Sequence, residues 1–280
     1  MQIFRQPSEM QAAARAWKQA GRRIGFVPTL GYLHDGHRSL IEQARTRADV
    51  VVVSIFVNPI QFGPNEDLSR YPRDFARDEA VCRAAGADAV FYPEPASMYA
   101  ADHSVYVEET RLGGGLCGAA RPGHFRGVTT VVAKLFNLVL PDCAVFGEKD
   151  AQQLRIIRRM VRDLAFPVEI VSGPTVREAD GLAMSSRNAL LTPDERAQAV
   201  CLRRALDEAE RLYRGGERSA RTLEISMRAV IARSALARVD YLELVDDETL
   251  APVTRLDKPT LVALAVKFPS ARLIDNCVLK

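Results

Sequence analysis

Residues 50–57 read VVVVSIFV, eight positions with a single polar side chain, Ser54. A strand with one face in water alternates apolar and polar residues. A β-branched run this dense fits a strand covered on both faces, as in a parallel sheet flanked by helices. Shorter apolar runs at 24–27, 89–92, 144–146 and 168–171 share the chain with helical patterns at 8–20, from 36 or 37 onward, and at 74–86, 128–140 and 150–164. Strands alternating with helices predict a parallel α/β sheet with right-handed crossovers. Ligands in such sheets gather at the carboxyl ends of the strands. The loops after Val27, Val57, Phe146 and Val171 are therefore the ones to inspect.

The pattern changes near residue 176. Two polar helices are predicted at 193–214 and 219–235, then three strands at 239–245, 261–266 and 272–278. Helices followed by consecutive strands imply a small α+β domain. Gly173-Pro174 and Asp180-Gly181 break the periodicity between the two regions, so the expected domains are 1–175 and 176–280.

Several function classes are disfavoured. A net charge of +3 with arginines scattered among acids gives no basic stripe, so no nucleic-acid partner is expected. No apolar run reaches the roughly 18 residues of a membrane span, and the N-terminus lacks the build of a signal peptide. Five cysteines, widely spaced and without a CxxC, read as reduced thiols of a cytoplasmic protein.

After the strand at 24–27 stands PTLGYLHDGH, holding two of the chain's four histidines, His34 and His37, at a helix start. A helix N-terminus attracts anions. Three readings fit the pair: solvated or hydrogen-bonded side chains, a partial zinc site whose further ligands no cluster supplies, or two imidazole donors facing a phosphate. The next loop, NPIQFGP, offers Asn58 and Gln61, amides that both donate and accept; they read as an ordinary turn or as selectors of a hydroxylated substrate. RPGHFRG before residue 128 reads equally as an anion site or as a capping loop with surface charge. In GEKD after Phe146, Lys149 opposes the dipole of the following helix, a cost that a bound phosphate would reverse. MSSRN at 184–188 offers two hydroxyls and a guanidinium as a phosphate grip. No metal-ligand set is legible; Asp78 is one acid that could meet a metal.

Taken together, VPTLGYLHDGH, VVVSIFVNPIQF, EDLSRYPR, RPGHFRGV, FGEKDAQQL, DGLAMSSRN and ARLIDN, in this order from 27 to 276, closely resemble the pantothenate synthetase (pantoate–β-alanine ligase) family of the HxGH nucleotidyl-transferase superfamily. The resemblance implies a Rossmann-like domain with a smaller C-terminal domain that lids the site, and a cytoplasmic homodimer. It implies ATP-dependent condensation of (R)-pantoate with β-alanine through a pantoyl adenylate, with Mg²⁺. By residue, it implies ATP contacts from Leu30, Gly31, His34, His37, Gly147, Glu148, Lys149, Asp150, Val176, Met184, Ser185, Ser186 and Arg187, with His34, His37 and Lys149 taking part in catalysis. Gln61, Gln153 and Asn58 would meet pantoate. Leu30 stands where the family usually has Met, and Tyr32 where Asn or Ala is common.

Overall fold

Six strands form the sheet that the apolar runs require: β1 (Gln2–Phe4), β2 (Ile24–Thr29), β3 (Val50–Ile55), β4 (Ala89–Phe91), β5 (Cys143–Gly147) and β6 (Glu169–Gly173). Their order is β1-β4-β3-β2-β5-β6, and every pairing is parallel. The helices between β1 and β6 in sequence are α1 (Pro7–Gln19), α2 (Asp35–Arg45), α3 (Phe75–Ala84), α4 (Pro95–Met98), α5 (Leu116–Ala120), α6 (His124–Val139) and α7 (Ala151–Asp163). The computed structural model describes residues 1–64 and 66–280.

All six residues of β3 are buried, as a strand between β2 and β4 under two helical layers must be. Val27, Val51 and Val53 pack with Leu40, Ile41 and Ala44 of α2. Phe26 points to the other face and meets Phe136 of α6 edge-on, ring centroids 6.4 Å apart. Each such large side chain stabilises the fold by about 1.5–3 kcal/mol when taken out of water. From β2 the chain steps one way to β3 and β4, then returns to the far side of β2 as β5 and β6. The sheet therefore reverses direction at β2 and β5, where a doubly wound sheet opens its ligand crevice.

Two compact units divide the chain. One holds Met1–Thr110, Arg121–Glu148 and Gln153–Pro174; the other holds Arg111–Ala120, Lys149–Gln152 and Thr175–Lys280. The second unit contains α8 (Pro193–Ala199), α9 (Cys201–Arg214), α10 (Ala220–Ile231) and the antiparallel strands β7 (Arg238–Asp246), β8 (Thr260–Lys267) and β9 (Arg272–Leu279), in order β7-β8-β9. Leu202 and Leu206 of α9 and Leu223 and Met227 of α10 share a core with Val262 and Leu264 of β8.

Several elements differ from expectation. β1 is a three-residue edge strand, too short to show a period, and it pairs with β4. Helix α6 begins at His124, four residues before the expected 128, because Gly123 turns left-handed at φ 79° and starts it early. The helix expected at 193–214 is two, α8 and α9, meeting at Val200, whose φ/ψ stays helical, so the sequence periodicity carries no mark of the break. Segments 111–120 and 149–152, which a single cut at 175 puts in the first domain, pack with the second unit. Leu116 and Ala151 share a small core with Val245, Leu261 and Ala263, and Gln152 ties the two segments together, its amide bonding Leu112 O, Gly115 O and Cys117 N, each at 2.8–2.9 Å.

Candidate active site

The turn after β2 is built by buried polar groups. Thr29 Oγ1 donates to Ser54 O (2.8 Å) and accepts from Gly31 N (3.2 Å). Gly31 has φ 93°, and a Cβ there would stand 3.1 Å from both Asp78 Oδ2 and Ile55 Cγ2, so only glycine passes. Tyr32 follows in the left-handed region at φ 52°, which a non-glycine residue adopts only when its surroundings hold it. Asp78 supplies that hold: its carboxylate accepts from Tyr32 N (2.8 Å) and Leu33 N (2.6 Å). Arg77 adds a guanidinium over the Tyr32 ring, 4.5 Å from its centroid. Asp78 is 1% exposed, and burial pushes its carboxyl above the usual range against those two hydrogen bonds. As a bidentate acceptor of loop amides, Asp78 has a structural task in holding this turn.

His34 is the N-cap of α2, and the two histidines cap the helix reciprocally. His34 Nδ1 accepts from Gly36 N (3.1 Å) and His37 Nδ1 accepts from His34 N (3.3 Å), with ring centroids 4.1 Å apart. A backbone N–H can only donate, so each Nδ1 must be the unprotonated nitrogen. Each neutral ring then carries its proton on Nε2. The turn thus fixes two Nε2–H donors at a helix N-terminus, where the dipole also favours negative charge. The pair lies at the carboxyl end of β2, on the sheet's reversal. A cleft of about 210 Å³ opens beside the turn, lined among others by Leu30, Gly31, Phe56, Val57, Arg73 and Glu94.

The loop after β3 forms a single 3-10 turn, Pro59–Gln61, held against α6. A Cβ on Gly127 would lie 2.6 Å from Gln61 Cα and 2.7 Å from Gln61 N, and closer still to Ile60 O. Asn58, 0% exposed, donates through Nδ2 to Gly127 O (3.1 Å) and to Gln61 Oε1 (2.9 Å), while its Oδ1 accepts from Tyr99 OH (2.8 Å). Gly127 O can only accept, which fixes the Asn58 amide. That amide in turn fixes Gln61 with Oε1 toward Asn58 and Nε2 turned away. Burial pushes the Tyr99 hydroxyl up, which keeps it a donor. The Asn58 amide, expected to meet substrate, is engaged at both ends within the protein and holds the Gln61 side chain. Tyr99→Phe removes the donor to buried Oδ1 and should raise the KM for a ligand held by Gln61 about two- to tenfold, with the ATP KM unchanged; steady-state kinetics in each substrate reads this.

In RPGHFRG, Arg121 pairs with Glu66 and His124 Nδ1 lies 2.8 Å from Gln61 O, so both side chains have partners within the protein. Burial pushes Glu66 up, but the hydrogen bonds and charge of Arg121 outweigh it and hold its carboxyl below the usual range.

At the end of β5 stand Gly147 and then Glu148, and Gln153 lies half-buried in the first turn of α7. In the second unit, Lys149 and Asp150 complete the 3-10 turn Glu148–Asp150, with Lys149 O accepting from Asn276 Nδ2 at 2.9 Å. Residues 176–184 form a tight hairpin: Met184 N donates to Val176 O (3.0 Å), Glu178 N to Leu182 O (2.8 Å), and Arg177 bridges Ala183. Asn188 Nδ2 ties Glu178 Oε1 (2.7 Å), and Arg196 pairs with Glu178 and Asp180. Ser185 Oγ caps the following 3-10 turn by accepting from Arg187 N at 3.2 Å, and Ser186 is buried. Tyr99 escapes sequence reading, while Gly127 and Asp275 lie within RPGHFRGV and ARLIDN without a role that the residues alone disclose.

A parallel, doubly wound sheet whose β2–α2 turn ends in a histidine pair capping a helix defines a nucleotidyl-transferase-type domain. The Pantoate-beta-alanine ligase family model matches residues 2–278. Pantothenate synthetase of Thermotoga petrophila is 53% identical over 279 residues, covering 100% of both chains. That of Geobacter sulfurreducens is 54% identical, covering 100% of this chain and 99% of its own. The crystal structure of pantothenate synthetase from Thermus thermophilus superposes with a TM-score of 0.93 at 46% identity, covering 99% of each chain. A Francisella tularensis pantoate–β-alanine ligase, complexed with β-γ ATP and β-alanine, gives 0.82 at 32% identity, covering 99% of this chain and 97% of its own. The chain belongs to the pantoate–β-alanine ligase family.

Proposed function

We infer that this enzyme condenses (R)-pantoate with β-alanine, using ATP, through an enzyme-bound pantoyl adenylate. The observation that carries the reading is the capped histidine pair, two Nε2–H donors fixed at a helix start where the sheet reverses. A carboxylate does not acylate an amine at neutral pH, because its leaving group is poor. In the first step a pantoate carboxylate oxygen attacks the α-phosphorus, the bond to the bridging β-phosphate oxygen breaks, and pyrophosphate leaves. In the second, the neutral amine of β-alanine attacks the acyl carbon, AMP leaves, and one proton is released.

The first step brings two anions together, so donors and cations must face the phosphates. We assign this to His34, His37, Lys149 and Arg187, with Met184, Ser185 and Ser186 closing on the triphosphate. Leu30, Gly31, Gly147, Glu148, Asp150 and Val176 surround the nucleoside. The Nε2 of Gln61, aimed by Asn58 and Tyr99, donates to pantoate; Gln153 holds the same substrate. Neutral amides here favour a hydroxylated acceptor over a phosphorylated one. Closure of the Met184–Arg187 segment on the nucleotide would shield the adenylate from water. Mg²⁺ enters with ATP as part of the substrate. Among the described residues no cluster of three His, Cys, Asp or Glu can hold a metal, and an ion carried mainly by phosphate oxygens and water needs none. A cytoplasmic homodimer is part of the proposed reading. Among the described residues no helix is long and apolar enough to cross a membrane.

The test is reaction order. Pantoate, ATP and Mg²⁺ without β-alanine should release pyrophosphate stoichiometric with enzyme, and adding β-alanine should yield AMP and pantothenate. Pyrophosphate that appears only with the amine would refute the two-step scheme. A stable adenylylated product in the presence of β-alanine would make the protein a plain nucleotidyltransferase.

A further inference from the structure

Two neighbouring residues of β9 hold two segments of the second unit at once. Asp275, its side chain fully buried, takes the Arg177 guanidinium end-on, Nη1 to Oδ2 at 2.7 Å and Nη2 to Oδ1 at 2.9 Å. The same Arg177 Nη1 donates to Gly181 O (3.0 Å), so one side chain spans the 176–184 hairpin from its base to its tip. Asp275 Oδ1 also accepts from Asn276 N (2.8 Å), and Asn276 Nδ2 reaches Lys149 O (2.9 Å). β9 is itself fixed in register against β8, with Asp275 opposite Leu264 and Asn276 opposite Ala263.

We propose that Arg177, Asp275 and Asn276 are positioning residues for ATP: β9 sets the spacing between the Lys149 turn and the hairpin that delivers Val176 and Ser185–Arg187. The inference rests on the assignment of those two segments to the nucleotide. A buried ion pair is a poor source of net stability, since an apolar pair of similar size commonly does as well. What a two-pronged Arg–carboxylate contact adds is direction, because both N–H···O bonds must align together. Here that direction is transmitted to a hairpin whose backbone and hydroxyls have to meet a ligand. The adjacent amide applies the same strand's register to Lys149.

The test separates position from stability. R177M/D275L removes the charges as a pair and leaves neither buried alone. It should melt within a few degrees of wild type, while the KM and calorimetric Kd for ATP rise at least tenfold and the pantoate KM stays within twofold. N276A should raise both ATP constants about threefold or more, again sparing pantoate. An R177M/D275L protein that is folded and binds ATP like wild type would overturn the proposal. If that variant fails to fold, N276A decides alone, and an unchanged ATP Kd overturns it. A wild-type protein that binds ATP but makes no pantothenate would refute the assigned reaction instead, and the calorimetric constants would still judge the network.

Discussion

Gly127→Ala should lower kcat/KM for pantoate by about 10²-fold while leaving ATP binding within a few fold. The added methyl would stand 2.6 Å from Gln61 Cα and 2.7 Å from its nitrogen, both backbone atoms with no rotamer to escape into. Either α6 or the 59–61 turn must move, and the turn is the softer body, being one 3-10 turn against a sixteen-residue helix. Moving the turn shifts Gln61 and stretches the Asn58 bonds to Gly127 O and Gln61 Oε1 together. A displacement of about 1 Å at a substrate-positioning group costs on the order of 10²-fold in rate. Overpacking should also lower stability, by about 1–3 kcal/mol. Pantoate and ATP kinetics on folded protein, checked by melting, make the measurement. Wild-type pantoate kinetics would mean that the 59–61 turn does not position that substrate.

The same region separates what the sequence discloses from what it hides. The parallel sheet is legible because β3 must be covered on both faces, a constraint that eight residues state by themselves. The histidine turn is legible because strand, glycine and helix adjoin in sequence. The roles of Asn58 and Gln61 are not, because Asn58's partners lie at Gly127 and Tyr99, 69 and 41 positions away. An amide next to an amide reads as two substrate contacts until the fold supplies the carbonyl that fixes one of them. Gln152 and Gln153 pose the same problem in α7. Neighbours on a helix point in directions about 100° apart, and the fold turns the first into a staple for 112–117 while the second stays half-buried. The tie from Asp275 to Arg177 spans 98 positions and leaves no periodic trace.

His37→Ala should cut the rate of adenylate formation by about 10²–10³-fold, the usual effect of removing one donor aimed at developing charge. ATP affinity should fall less. The geometry gives the reason. His37 Nδ1 is committed to His34 N at 3.3 Å, so its Nε2–H is held at the helix start independently of ligand. A donor fixed in advance acts most strongly where charge is building on the reacting phosphate. Lys149 differs. Its ammonium is a point charge on a flexible stem, useful to the triphosphate in the ground and transition states alike, so Lys149→Ala should weaken ATP binding as well as turnover. Alanine at 37 also removes an acceptor for His34 N, which mixes a capping loss of about 1 kcal/mol into the result. His37→Asn offers a short side-chain acceptor to His34 N but has no donor that reaches the Nε2 position, and it should still be slow, which distinguishes the donor from the cap. Supplied pantoyl adenylate isolates the second step. With it, both variants should convert β-alanine to pantothenate at rates near wild type, because no pyrophosphate leaves in that step. A His37 variant equally crippled with preformed adenylate would place this histidine in amide formation or in holding the turn.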